Sequence, residues 1–303
     1  MKTAIRIELI PLYRCNENCN FCLYQHEKNN KNTADLAWID STLTSLHFKY
    51  DILQIKITGG EISLLSDFYF EMLFNLLKIH CKKIVVETNF VEFKKALINN
   101  CDIINIGYNF NNNPLQQQIF NNIKAATATG KSINIKSLDI FCKINHNQII
   151  NHLNSLKIKS WEIIPFHQTP FTLYKFRGYS EYEKIVAEYL KLSNKMKFAF
   201  QNKLQLENIL NLDNYNVKTV YLTPNNKLAL QNFDNDNNFF LEEFDNVEDL
   251  SKKMKETEKK KDKFCEKCTS KLQCMANSFM NLNYTGLSCS GFKDLINKHK
   301  GGL

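Results

Sequence analysis

Three cysteines, Cys15, Cys19 and Cys22, fall in the run Cys-Asn-Glu-Asn-Cys-Asn-Phe-Cys, directly after the first hydrophobic strand pattern. Thiolates at this spacing can hold three irons of a [4Fe–4S] cluster and leave the fourth iron without a protein ligand. An open iron is a place where a small molecule can chelate and take up an electron. Phe21, between the last two cysteines, offers a flat face against which a purine can pack. A zinc knuckle is the plainer alternative. Zinc, however, favours four closed ligands in paired short spacings; no fourth cysteine follows closely, and His26 is the nearest histidine.

Residues 52–61 read Ile-Leu-Gln-Ile-Lys-Ile-Thr-Gly-Gly-Glu, an apolar β run ending in two glycines and a carboxylate. Glycines there let the backbone approach a ligand closely, and Glu61 can accept hydrogen bonds from an ammonium group. A lone Gly-Gly-Glu says little. After a strand, and downstream of the cysteine triplet, it says much more.

With both motifs in place the chain resembles the radical S-adenosylmethionine superfamily, whose hallmarks are Cys-x3-Cys-x-aromatic-Cys and a Gly-Gly-Glu after the second strand. The resemblance implies that Cys15, Cys19 and Cys22 bind the catalytic cluster. Gly59, Gly60 and Glu61 would hold the methionyl amino group of S-adenosylmethionine. Reductive cleavage would give a 5′-deoxyadenosyl radical that removes a hydrogen atom from substrate, with a reductant such as flavodoxin or ferredoxin supplying the electron. Ile62 stands where a proline usually follows the glutamate. The family's Thr-Asn-Gly after the third strand is Thr88-Asn89-Phe90 here. Its Ser-Leu-Asp after the fourth is Gly107-Tyr108-Asn109, which keeps a polar group only at the last position.

The elements that must position these residues alternate. Strand patterns at 4–11, 52–58, 83–88, 102–109, 132–140 and 159–166 interleave with helical patterns near 34–48, 64–80, 91–99, 115–129, 146–155 and 181–203. Six β/α units predict a parallel sheet with right-handed crossovers; with the motifs, this resembles the superfamily's partial (β/α)6 TIM-like barrel. The strands themselves alternate: Ile5, Ile7 and Leu9 with Arg6 and Glu8, Ile55 and Ile57 with Gln54 and Lys56, Ile133 and Ile135 with Asn134 and Lys136. With helices outside, the apolar set faces them and the polar set faces a wet lumen. Arg6 and Glu8 fit ion pairs at the barrel bottom equally well, whereas Asn134 and Lys136, midway along their strand, are candidate cofactor or substrate contacts.

Chemistry in βα barrels gathers at the C-terminal strand ends. That end should display Thr88 and Asn89, Tyr108 and Asn109, Cys142 and His167. Cys142 is a candidate hydrogen donor or a packing residue, and His167 a candidate general base. Cys81 and Cys101 precede their strands and read as buried fillers.

A second cysteine set, Cys265, Cys268, Cys274 and Cys289, lies near the C-terminus. Four cysteines so close argue for a metal site, zinc or iron–sulfur. The spacing resembles the SPASM and twitch extensions of many superfamily members, which implies an auxiliary [4Fe–4S] cluster, and so two clusters in all. The run Val220 to Gln231 resembles the extension's β-hairpin. Gln231 and Ser278 stand where further cysteines are usual, so one auxiliary cluster is expected, fully ligated and suited to carrying electrons. The implied domains are 1–205, the barrel, and 206–303, the small cysteine-rich extension.

The formal charge is +8, but arginine occurs only at 6, 14 and 177. Readers of phosphate and guanine favour arginine, so nucleic acid is not an expected partner. The charge run from Lys252 to Lys263 reads as a solvated helix. No apolar run approaches the ~20 residues of a membrane span and no signal peptide is evident; a cytoplasmic protein is expected, in which ten cysteines favour metal or redox use over disulfides. The leading expectation is an enzyme that crosslinks, oxidises or epimerises a ribosomally made peptide. A first strand at residue 4 leaves no room for an N-terminal leader-recognition domain. The rivals are a radical dehydrogenase of small molecules such as amino sugars, and an iron–sulfur electron carrier without turnover, to which Glu61 and a polar lumen would be of no use.

Overall fold

In the computed structural model, residues 2–110, 114–143, 145–174, 179–210, 217–234 and 238–265 are described. The chain runs β1 (Thr3–Leu9), α1 (Leu36–Lys49), β2 (Tyr50–Ile57), α2 (Asp67–His80), β3 (Ile84–Thr88), α3 (Lys95–Asn100), β4 (Ile103–Gly107) and α4 (Pro114–Ala128). It continues with β5 (Ile133–Leu138), α5 (His146–Asn154), β6 (Ser160–Ile164), α6 (Tyr179–Lys191), β7 (Ala199–Phe200) and α7 (Gln201–Leu210). The last elements are β8 (Lys218–Leu222), β9 (Leu228–Phe233), β10 (Phe239–Phe244) and α8 (Val247–Cys265). Among the described residues the ten strands form one sheet in the order β10-β9-β8-β1-β2-β3-β4-β5-β6-β7. From β8 to β7 every neighbouring pair is parallel; β9 and β10 add on antiparallel. Among the described residues β10 and β7 are the sheet's edges, and β6 does not pair with β1.

Local chemistry sets the helix starts. Asp35 and Ser66 cap α1 and α2 by accepting from Trp38 N and Tyr69 N, and Pro114, which lacks an N–H to satisfy, opens α4. In α2, Asp67 sits in the first turn and Lys78 and His80 in the last, matching the helix dipole. The isoleucines of the alternating strands point to these helices: Ile5, Ile7, Ile55, Ile57, Ile133 and Ile135 are buried in one core with Leu43, Phe70, Phe74 and Leu77. Fully burying each such side chain is worth roughly 1.5–3 kcal/mol.

One expectation needs correction. The helical pattern over 181–203 is two helices, α6 and α7, with β7 between them. Phe200 pairs with Trp161 in the ladder and packs on its ring at 5.5 Å; this buried aromatic contact outweighs a continuous helix. Over the run 220–231, β8 and β9 pair antiparallel, and β8 also pairs parallel with β1. The charge run does fall in a helix, α8, which buries Val247, Leu250 and Met254 along one stripe.

Candidate active site

The cysteine loop leaves β1 and is pinned at once by the loop after β2. Gly60 N donates to Leu12 O at 2.9 Å, and Glu61 N to Arg14 O at 2.8 Å. The two loops are so close that only glycine fits. A Cβ on Gly60 would lie 2.0 Å from Arg14 O; one on Gly59, at φ +122°, would lie 2.5 Å from the Ile10 side chain. The glycines thus permit backbone-on-backbone packing, and they do so beside the thiols: Cys15, Cys19, Cys22, Gly59 and Gly60 line one cavity of about 340 Å³, joined by Tyr13, Glu17, Tyr24 and Lys28.

Glu61 is 1 % exposed and committed within the protein. Its carboxylate accepts from Ser63 N (2.9 Å), Thr88 Oγ1 (2.7 Å) and Asn89 N (2.8 Å). Burial raises its pKa, and the three donors work against that rise. Asn89 carries the chain of contacts onward by donating to Asn16 Oδ1 at 2.7 Å. One carboxylate and one amide therefore lock the ends of β1, β2 and β3 together. The next residue, Phe90, takes φ +57°, which explains why glycine suits that position; here the strain is held by a fully buried ring.

The thiols are suited to a cationic occupant. Burial pushes Cys15 up to about 11; burial and Glu17 push Cys19 up, and burial raises Cys22. A metal supplies the positive charge that turns such thiols into thiolates. Among the described residues no three His, Cys, Asp or Glu side chains converge on a single-ion site. A tetrahedral zinc needs its sulfurs about 2.3 Å from one point, whereas a four-iron cluster gives each thiolate its own iron. Three thiols lining one cavity are a donor set that fits the cluster.

The lumen is charged along its middle. Lys56 lies 2.7 Å from Glu8 and 3.3 Å from Glu87, and Lys136 lies 3.3 Å from Glu87. Burial would raise Glu87, but Lys136 and Lys56 outweigh it and hold the carboxyl at about 2. Glu8 and Lys136 are therefore ends of one ion-pair chain. Asn134 belongs to a separate amide cluster: it donates to Asn105 at 3.1 Å and accepts from Ser160 at 2.8 Å.

The remaining candidates scatter. Phe21 stands edge-on to Phe141 at 5.0 Å, and Phe141, Tyr174 and Phe166 continue an aromatic cluster at the mouth. Tyr108 turns outward to His152, 2.6 Å away, while Asn109 is half-buried at the end of the same strand. Cys142 is fully buried and its thiol donates to Leu138 O at 3.4 Å, so it packs rather than faces the mouth. Burial lowers His167 to about 4, which keeps it neutral at neutral pH and makes it a weak base. Cys265 ends α8; Cys268, Cys274 and Cys289 lie outside the described residues. Sequence reasoning did not single out Tyr13, Glu17, Tyr24, Lys28 or Glu87. Proximity to the cysteine run could have found the first four; Glu87 is found only through the sheet register.

No family model and no curated protein matches this chain. Solved structures do. Native anSMEcpe with bound AdoMet matches over 96 % of this chain and 96 % of its own, with a TM-score of 0.70 at 14 % identity. SuiB of Streptococcus suis bound to S-adenosylmethionine matches over 75 % of this chain with a TM-score of 0.58 at 15 % identity, and this chain spans 60 % of SuiB. No helix among the described residues is long and apolar enough to cross a membrane. The structural neighbours are radical S-adenosylmethionine enzymes, and at these identities what this chain shares with them is the fold, mixed α/β around a large parallel sheet.

Proposed function

We propose that this chain is a radical S-adenosylmethionine enzyme that modifies a peptide. The observation that carries the reading is the single cavity lined by Cys15, Cys19, Cys22, Gly59 and Gly60 at the C-terminal ends of β1 and β2. The three cysteines would hold a [4Fe–4S] cluster. When bound, that cluster and S-adenosylmethionine supply a one-electron cleavage whose products are methionine and a 5′-deoxyadenosyl radical able to take a hydrogen atom. Gly59 and Gly60 give the cavity a wall free of side chains for the cofactor's methionyl end. Glu61 and Asn89 act one step back, holding the cysteine loop against β2 and β3. Phe21 and Phe141 offer aromatic faces near the mouth. Lys136, Lys56 and Glu87 keep the lumen beneath polar, a setting for a peptide backbone rather than an apolar ligand.

The peptide assignment draws on the neighbours: SuiB has been solved with its precursor peptide SuiA, and anSMEcpe with the Cp18Cys peptide. Cys265, Cys268, Cys274 and Cys289 would ligate one auxiliary cluster that accepts an electron from the substrate radical. Anaerobic reconstitution tests the whole reading. The chain should bind about eight irons and, with dithionite and S-adenosylmethionine, release 5′-deoxyadenosine. Tightly bound zinc in place of half of that iron would refute the auxiliary cluster, and iron-loaded protein that left the cofactor intact would refute the chemistry.

A further inference from the structure

A second cavity of about 650 Å³ adjoins the first, and Tyr13 and Tyr24 line both. Its walls are aromatic and acidic, formed chiefly by Tyr13, Tyr24, Phe239, Phe240, Glu27 and Glu243. The register places it. Glu8 pairs with Tyr221, Tyr221 with Ala229, and Ala229 with Glu243, and residues paired in this way share a face of the sheet. Glu243 therefore stands on the face that carries the Glu8–Lys56–Glu87 chain, the lumen side rather than the helix side.

The two carboxylates differ from those of the lumen chain. Glu8 and Glu87 each face a lysine. Glu27 and Glu243 are held by amides: Asn30 donates to Glu27 at 3.1 Å and to Asn225 at 3.3 Å, and Asn225 donates to Glu243 at 3.1 Å. Among the described residues no lysine or arginine pairs with either; His26 alone comes to 3.8 Å of Glu27, its ring stacked on Phe171. In a chain of net charge +8, this concave site is locally negative. Tyr13 joins the two carboxylates: it is 4 % exposed, it lines both cavities, and burial with Glu243 and Glu27 nearby raises its pKa, which keeps the phenol neutral and able to accept a hydrogen bond.

Aromatic faces, two carboxylates without a lysine or arginine beside them and the phenol oxygen of Tyr13 make a receptor for an organic cation: the rings supply cation–π faces and the oxygens accept its N–H donors. Beside the cavity runs β10, an edge strand of the sheet among the described residues, and extended peptides pair with such edges. We propose that this cavity docks the ammonium or guanidinium group of a lysine or arginine of the peptide substrate, close in sequence to the residue that is modified. The shared Tyr13–Tyr24 wall gives the docked residue's neighbours the short route to the cluster cavity.

Since the peptide reading is a premise here, the test is binding without turnover. The reconstituted full chain, held anaerobically without S-adenosylmethionine, is titrated with acetyl-Ala-Lys-Ala-amide and with its norleucine analogue. The lysine peptide should saturate and the norleucine peptide should not. The lysine affinity should weaken several-fold as salt rises tenfold, an arm that needs no variant. Glu27→Gln with Glu243→Gln should weaken it roughly tenfold, while Glu248→Gln, on the exposed side of α8, should change nothing. Equal binding of the norleucine peptide, or no saturation by the lysine peptide, overturns the proposal. Lysine-dependent binding without modification of any peptide would instead count against the peptide-modifying function and leave the cation site standing.

Discussion

Gly60 follows β2 and Gly107 ends β4, two strands along the same sheet, and a methyl group added to each would meet different surroundings. On Gly60 it would strike the Arg14 carbonyl at 2.0 Å; on Gly107 it would find nothing within 4 Å among the described residues. The contrast holds for the regions around them. Over β1 to β3 the loops are bonded backbone to backbone and cross-linked by Glu61 and Asn89. Over β4, Tyr108 turns away to His152 and Gly107 opens onto the lumen. One region is a frame bonded backbone to backbone, which the proposed function gives to cluster and cofactor; the other, with room at Gly107, it gives to substrate.

The largest effect expected of breaking this contrast is at Gly60. Gly60→Ala forces the cysteine loop off β2, so it should cost more than about 3 kcal/mol, in line with overpacking of a rigid contact, and abolish iron loading. Glu61→Gln comes next. It sets an amide N–H₂ against at least one of three donors, and the loss of a charge-assisted hydrogen bond costs roughly 1.5–3 kcal/mol. Thermal melts and iron content should fall together. Because the carboxylate faces Ser63, Thr88 and Asn89 rather than the cavity, cofactor affinity per loaded cluster should hold.

Lys136→Met is expected to cost about 1–2 kcal/mol at pH 7, part of the interaction of a lumen ion pair. Glu87 is depressed from 4.5 to about 2, with burial opposing and Lys136 and Lys56 prevailing. A depressed carboxyl stabilises the fold above pH 4.5 and loses that contribution as pH falls toward 2. Denaturant titrations at pH 7 and pH 3 should therefore show a smaller acid loss in the variant than in the parent chain. Gly107→Ala is the smallest perturbation, within about 0.5 kcal/mol on stability, yet it intrudes on the open region. Substrate turnover should change while the melting temperature does not.

Much of the frame was legible in sequence, because strand alternation and the two motifs are local. Ile5, Ile7 and Leu9 face the helices as their spacing predicts, and Glu8, interleaved with them, meets Lys56. The partners were not legible. Glu87 meets Lys56 and Lys136 only through the register of three strands, and no local pattern says that Glu61 is spent on Thr88 and Asn89. Cys142 looked like a mouth residue because it follows β5; the short turn Asp139–Phe141 swings it back into the core. Phe200 broke a helix that propensity alone would have continued, since its pairing with Trp161 is a tertiary event.

The central claim is that Cys15, Cys19 and Cys22 hold a cluster whose open iron meets S-adenosylmethionine beside Gly59 and Gly60. The most direct measurement is the electron paramagnetic resonance spectrum of the dithionite-reduced chain with and without S-adenosylmethionine. The intact chain should show a four-iron signal that shifts on addition of the cofactor. The chain with all three cysteines changed to alanine should keep about four irons and show no shift. A cofactor-induced shift that survives in that variant, or a parent signal indifferent to S-adenosylmethionine, would contradict the account.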